Sequence, residues 1–327
     1  MTDDTRKDTN ENAAKQKKPK KTLGIIAAGF DENDESSSLL ERILDSGNLL
    51  SAYKRIKKNN EEPGIDGMKV DEIMPFLRDN GRELMASVRS GRYFPTPVRR
   101  AQLSKPGGGI NRFCVPTVID RMIQQAALQV LQGVFEPTFS DNCYGFRPGR
   151  NAQQAIQKAK TYYDDGFVYV ADIDLAKYRD TENHEILIQA VENTIDERIV
   201  TDLIRKFLRN GVTESGRIST AYEGTSQCGN LAPLLVNIYL TEFDLMLESK
   251  GLNFVRYADV CKIYVQSRGA ARRATAGCTR FLEKKLKLKP VGKRKKKEGL
   301  LNAGRAIVKP AASALTRKKQ SSIEKAK

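Results

Sequence analysis

Two aspartates each close an apolar run: Asp174 follows residues 167–173, and Asp259 follows residues 254–257 with Ala258 between. A carboxylate at a strand end is held in place. Two such strands side by side in one sheet would bring two carboxylates to a distance that a metal ion can bridge. Hard oxygen ligands of this kind select Mg²⁺, which uses few carboxylates and leaves positions for substrate phosphates. Ions so held stabilise the attacking and leaving oxygens of phosphoryl transfer. The same spacing suits turn or capping aspartates, which are common at strand ends, and that alternative stays open. Other chemistries have less material. The single histidine, His184, excludes a His-rich metal site and reads as a helix opener. Five cysteines, odd in number and without a C-x-x-C pair, argue against a disulfide scaffold and a structural zinc.

The elements that must position these groups are legible from periodicity. The chain has 327 residues, 39% hydrophobic and 29% charged, enough for about two globular units. Residues 1–36 are polar and aperiodic and read as a disordered tail. Helical spacing begins at Leu39 and Leu40 and repeats through Ile56; a further helix carries Ile73, Phe76, Leu77, Leu84 and Val88. Tyr93 to Leu103 reads as a strand interrupted by Pro95 and Pro97, with a hairpin turn at residues 105–109. Helices are expected at 116–135, after the cap Asn151, from His184 to Arg209 as one long element, at 233–250, and from Ala270 to Leu288. Strands are expected at 167–171, 253–257 and 263–266, the last two joined across residues 258–262. The pattern is α+β, with helices grouped around a small antiparallel sheet. No stretch approaches the roughly 20 apolar residues of a membrane helix, and no signal peptide is visible, so a cytoplasmic protein is expected.

The formal charge of +16 is unevenly placed. Residues 284–327 hold 16 basic and two acidic side chains, and the other 283 residues hold 40 and 38. That end of the chain can bind phosphate by counterion release, or it can be a solvated low-complexity segment.

Several blocks occur in order: Gly64-Ile65-Asp66-Gly67; Lys105-Pro106 with Val115-Pro116-Thr117; Tyr144-Gly145-Phe146-Arg147-Pro148; Asp172-Ile173-Asp174-Leu175 with Asp180-Thr181; Gly224-Thr225-Ser226-Gln227 with Gly229-Asn230-Leu231; and Arg256-Tyr257-Ala258-Asp259. Together they resemble the reverse transcriptases and maturases encoded by bacterial group II introns, over residues 39–289. The resemblance implies a right-hand polymerase fold with fingers and palm: an N-terminal helical extension at 37–100, fingers at 101–166, palm at 167–289 and a basic low-complexity tail at 290–327. It implies RNA-templated DNA synthesis, with Asp174 and Asp259 holding catalytic Mg²⁺. Lys105, Arg112, Tyr178 and Gln227 would meet the incoming nucleotide. Arg147 and the basic residues Lys293, Arg294 and Lys295 would contact nucleic acid. The implied partners are structured intron RNA, a DNA primer and deoxynucleotides. Bland alternatives are a solvated Lys105 and a structural ion pair for Arg147.

The chain also departs from the family pattern. Tyr-Ala-Asp-Asp becomes Tyr257-Ala258-Asp259-Val260, a second aromatic becomes Arg179, and two glycines become Cys114 and Cys228. The resemblance ends after Lys289, where the family continues into a thumb, so the thumb is expected to be absent. DNA synthesis is therefore expected to be impaired or lost with RNA binding retained. The alternatives are a non-catalytic intron-RNA-binding remnant and a degraded mobile-element product.

Overall fold

The computed structural model describes residues 37–59, 62–104, 110–175, 183–214, 217–219, 229–288 and 291–294, with backbone alone at 101–104, 110–113, 214, 217–219 and 291–294. Helices α1 (Leu39–Leu44) and α2 (Ser46–Asn59) open the fold. The Ser38 hydroxyl accepts from Glu41 N at the first turn of α1. Asn48 ties the pair to the interior by donating to the carbonyls of Ile43 and Ala126. Helix α3 (Ile73–Arg89) follows, and its Arg89 forms an ion pair with Glu41 at 2.9 Å.

Strands β1 (Val98–Ser104) and β2 (Ile110–Val115) form an antiparallel hairpin. It leads into α4 (Val118–Phe135), capped by Thr117 and buried on most of its circumference. The turn before the hairpin is locked onto this cap. A Cβ at Gly64 would lie 2.6 Å from Thr117 Cα, so only glycine lets the two backbones meet. Helix α5 (Ala152–Asp164) begins with the expected capping box of Asn151 and Gln154.

Strand β3 (Tyr169–Asp174) precedes α6 (His184–Glu192) and α7 (Arg198–Leu208). Two short strands, β4 (Val212–Glu214) and β5 (Arg217–Ser219), precede α8 (Ala232–Ser249). The chain then forms β6 (Asn253–Tyr257), β7 (Val260–Val265), α9 (Arg268–Lys284) and β8 (Val291–Arg294). The strands make two four-stranded sheets, in the orders β2-β1-β4-β5 and β6-β7-β3-β8. One face of the second sheet joins the main core with α4, α8 and α9; α5 covers part of the other through Ala155, Ala159 and Tyr162 against Val170, Val255 and Tyr264. No described helix is long and apolar enough to cross a membrane.

The α+β class holds, and five expectations change. The helix expected from His184 to Arg209 is two helices: Ile195 N closes α6 on Val191 O, and Glu197 opens α7. Both halves bury one core, so periodicity runs through the break. The 258–262 connection shrinks to Ala258 and Asp259, because Cys261 and Lys262, polar enough to read as loop, are buried in β7. The strand expected from Tyr93 starts only at Val98, past the two prolines, and the last helix ends at Lys284. Finally, residues 291–294, read as tail, form a strand pairing with β3.

Candidate active site

The site is built on the hairpin between β6 and β7. Tyr257 pairs with Val260, leaving Ala258 and Asp259 as a two-residue turn, and Ala258 has φ 55°. Positive φ at the first turn position suits the twist of a tight hairpin but costs an L-residue about 1–2 kcal/mol. Arg256 holds this conformation. It is fully buried, and its Nε and Nη2 grip both oxygens of the fully buried Asp244 at 2.6–2.9 Å. Its Nη1 donates to Asn237 Oδ1 at 2.9 Å and to the Ala258 carbonyl at 3.0 Å. Burial opposes the guanidinium charge and Asp244 outweighs it, so Arg256 stays protonated more firmly than a free arginine.

A second segment backs the turn. Tyr144 N donates to Arg256 O, Arg256 N donates to Asn142 O, and Asn237 Nδ2 donates to Gly145 O. A Cβ at Gly145 would lie 2.3 Å from Ala258 N. The Tyr-Gly-Phe-Arg-Pro block therefore supports the Tyr-Ala-Asp hairpin by direct backbone contact.

The backbone brings the two aspartate-bearing segments side by side. Asp174 lies directly opposite Val260 in the β3–β7 ladder, and Leu175 N donates to Asp259 O at 3.0 Å. Asp259 is thus one residue from Asp174's cross-strand partner; it is 7% exposed, and Asp174 is half-buried. Val260, also 7% exposed, occupies the position opposite Asp174. Among the described residues no group of three or more His, Cys, Asp or Glu could hold a metal ion. Two carboxylates with substrate phosphates can bind one Mg²⁺.

The remaining expected residues fare unevenly. Arg147 is 8% exposed and its guanidinium is engaged: it pairs with Glu136 at 2.8 Å, donates to the carbonyls of Ser140 and Cys143, and lies over the Phe139 ring. That is the structural ion pair, which corrects the reading of Arg147 as a phosphate contact; it orders the turn that delivers Gly145. Lys105, Tyr178, Arg179, Gln227, Cys228 and Lys295 lie outside the described residues, and Arg112, Lys293 and Arg294 are described in backbone only. His184 is buried in the first turn of α6, behind the cap Asn183, as expected. Motif reading included Arg256 in a block but gave it no role, and it missed Asp244, Asn237 and Lys262, which no short spacing links to the hairpin. A cavity of about 370 Å³ lies where β2 meets α4, lined in part by Cys114, Pro116, Arg121 and Gly229. A larger one, about 720 Å³ between Phe94 and α7, is lined by neither aspartate.

A strand-end carboxylate beside a second one on the adjacent hairpin, on a four-stranded antiparallel sheet packed against helices, is the arrangement expected of a polymerase palm. A family model described as reverse transcriptase (RNA-dependent DNA polymerase) matches residues 103–295, and the chain belongs to that family. It is 32% identical over 221 residues to protein YkfC of Escherichia coli (strain K12), covering 65% of this chain and 58% of that protein. It is 31% identical over 242 residues to the group II intron-encoded protein LtrA of Lactococcus lactis subsp. cremoris, covering 72% of this chain and 40% of that protein. The chain thus spans between two-fifths and three-fifths of these relatives' length. A solved structure titled partial Cas6-RT-Cas1--Cas2 complex superposes with a TM-score of 0.47 at 20% identity, over 76% of this chain and 43% of that one. The motif resemblance to group II intron reverse transcriptases and maturases agrees with these relatives, and the fold is that family's fingers and palm. Reverse transcriptase domains generally use divalent metal ions.

Proposed function

We propose that this protein binds RNA through a reverse transcriptase fold whose palm makes DNA poorly or not at all. One observation carries the reading: Val260 stands opposite Asp174, at the position where the family pattern has an aspartate. An isopropyl group offers no oxygen to a cation. Losing one electrostatic contact to developing charge costs about 3–4 kcal/mol, roughly 10²–10³ in rate. The intact Asp174 and Asp259 leave room for weak residual synthesis with Mg²⁺ and deoxynucleotides. The RNA partner follows from the family and from the basic end of the chain, and structured intron RNA is the form this reading favours.

Primer extension on an RNA template with Mg²⁺ tests the catalytic half. The parent chain should extend poorly, and Val260→Asp should raise the rate at least tenfold. Robust parental extension would overturn the reading. Filter binding tests the other half: affinity for folded intron RNA should persist, weakened, after deletion of residues 295–327. If all binding disappears with those residues, the fold contributes no RNA site.

A further inference from the structure

Lys262 lies in the middle of β7, is 1% exposed, and its ammonium has no hydrogen-bond partner among the described residues. Its ion pair is with Asp172, Nζ to Oδ2 at 3.5 Å, and the Asp172 side chain is 12% exposed. Lysine is almost never buried this deeply without a paired charge. The strand register places the pair. Asp172 lies opposite Lys262, and Asp174 lies opposite Val260. Residues two apart on a strand share a face, as do directly opposed residues. Lys262 is therefore the diagonal neighbour of Asp174, at a residue spacing of about 7–8 Å in such ladders. Along this face the side chains change from apolar contacts with α5 at Val170 and Tyr264 to the acidic end at Asp172 and Asp174. Asp259 stands beside that end on the hairpin. Lys262 lies at the border.

We infer that Lys262 is an internal counter-ion of the palm. Its ammonium neutralises Asp172, so the acidic end presents the charge of two carboxylates rather than three, and divalent cations bind there weakly. A divalent ion near Asp174 meets this ammonium on the same face, and even with Asp172 offsetting part of its charge the repulsion at that separation is worth on the order of tenfold in affinity. Where the family pattern offers a carboxylate at position 260, this chain offers an isopropyl group and, two residues on, an amine. The inference rests on reading Asp174 and Asp259 as the cation-holding pair, so its test measures cation binding and not DNA synthesis.

The test titrates the full chain with Mn²⁺ at constant ionic strength, counting free ion by electron paramagnetic resonance. Lys262→Met should bind Mn²⁺ at least tenfold more tightly than the parent. Should Lys262→Met fail to fold, a second pair decides. Asp172→Asn with Lys262→Met should bind at least tenfold more tightly than Asp172→Asn alone, because the two differ only in the ammonium. Equal affinities within each pair, including no binding in either, overturn the inference. Asp174→Asn separates the two readings. If it leaves tight binding in Lys262→Met unchanged, the cation sits elsewhere and the palm assignment fails; if it abolishes binding that Lys262→Met had not strengthened, the counter-ion role alone fails.

Discussion

Gly145 and Arg256 fix one turn from two sides, and each makes a separate prediction. Gly145→Ala places a methyl group 2.3 Å from Ala258 N and 3.1 Å from Ala258 Cα, and backbone cannot yield as a side chain would. It should cost about 1–3 kcal/mol in urea denaturation, with the hairpin displaced. Arg256→Met leaves Asp244 buried without its cation and should cost about 3–5 kcal/mol, much of it recovered when Asp244→Leu is added. Asp120 behaves differently. Burial pushes its carboxyl up against the opposing hydrogen bonds from Tyr93, Thr117 and Thr96 N. The native state then holds that proton more tightly than the unfolded chain. Its stabilisation is complete below the ordinary value of 3.8 and is lost as pH rises through the raised native value. Asp120→Asn should flatten that stretch of the stability–pH curve in denaturation series run across it. Asp120 gave no sign of this in the sequence, where it is only an acidic residue in the first turn of α4; Tyr93 lies 27 positions before it.

Elements joined by side chains from far along the chain explain what sequence reading could reach. Strands β3 and β6 were legible because apolar runs end at Asp174 and Tyr257, and α5 because Asn151 and Gln154 form a local capping signal. The join between α6 and α7 was not, because Glu197 caps a different helix: it accepts from Leu39 N and Leu40 N at 2.7 and 3.0 Å, 158 and 157 residues away. Glu197→Ala should therefore fray α1 rather than α7. A loss of about 1 kcal/mol, typical of a removed cap, should appear as faster hydrogen exchange at the α1 amides with α7 unchanged. Lys262 misled for a related reason. Its place in β7 depends on Asp172 across the ladder, and a lysine next to a turn reads as loop when that partner is unseen.

The whole molecule divides its charge sharply: residues 295–327 carry ten basic side chains against Glu298 and Glu324. Removing them should make the log–log dependence of RNA affinity on salt shallower, since each lost phosphate contact lowers the slope by about 0.9 on a duplex or 0.7 on a single strand. Any affinity that persists would come from the folded part and should vary more with RNA shape. Strand β8 adds a geometric condition to this. It runs antiparallel to β3, from Val291 opposite Asp174 to Arg294 opposite Ala171. The lysine-rich stretch is therefore leashed to the border of the very sheet that carries the acidic pair. The first basic residues after Arg294 are joined by covalent chain to the edge strand beside that pair, so a phosphate bound by them is held within a few residues' span of the sheet.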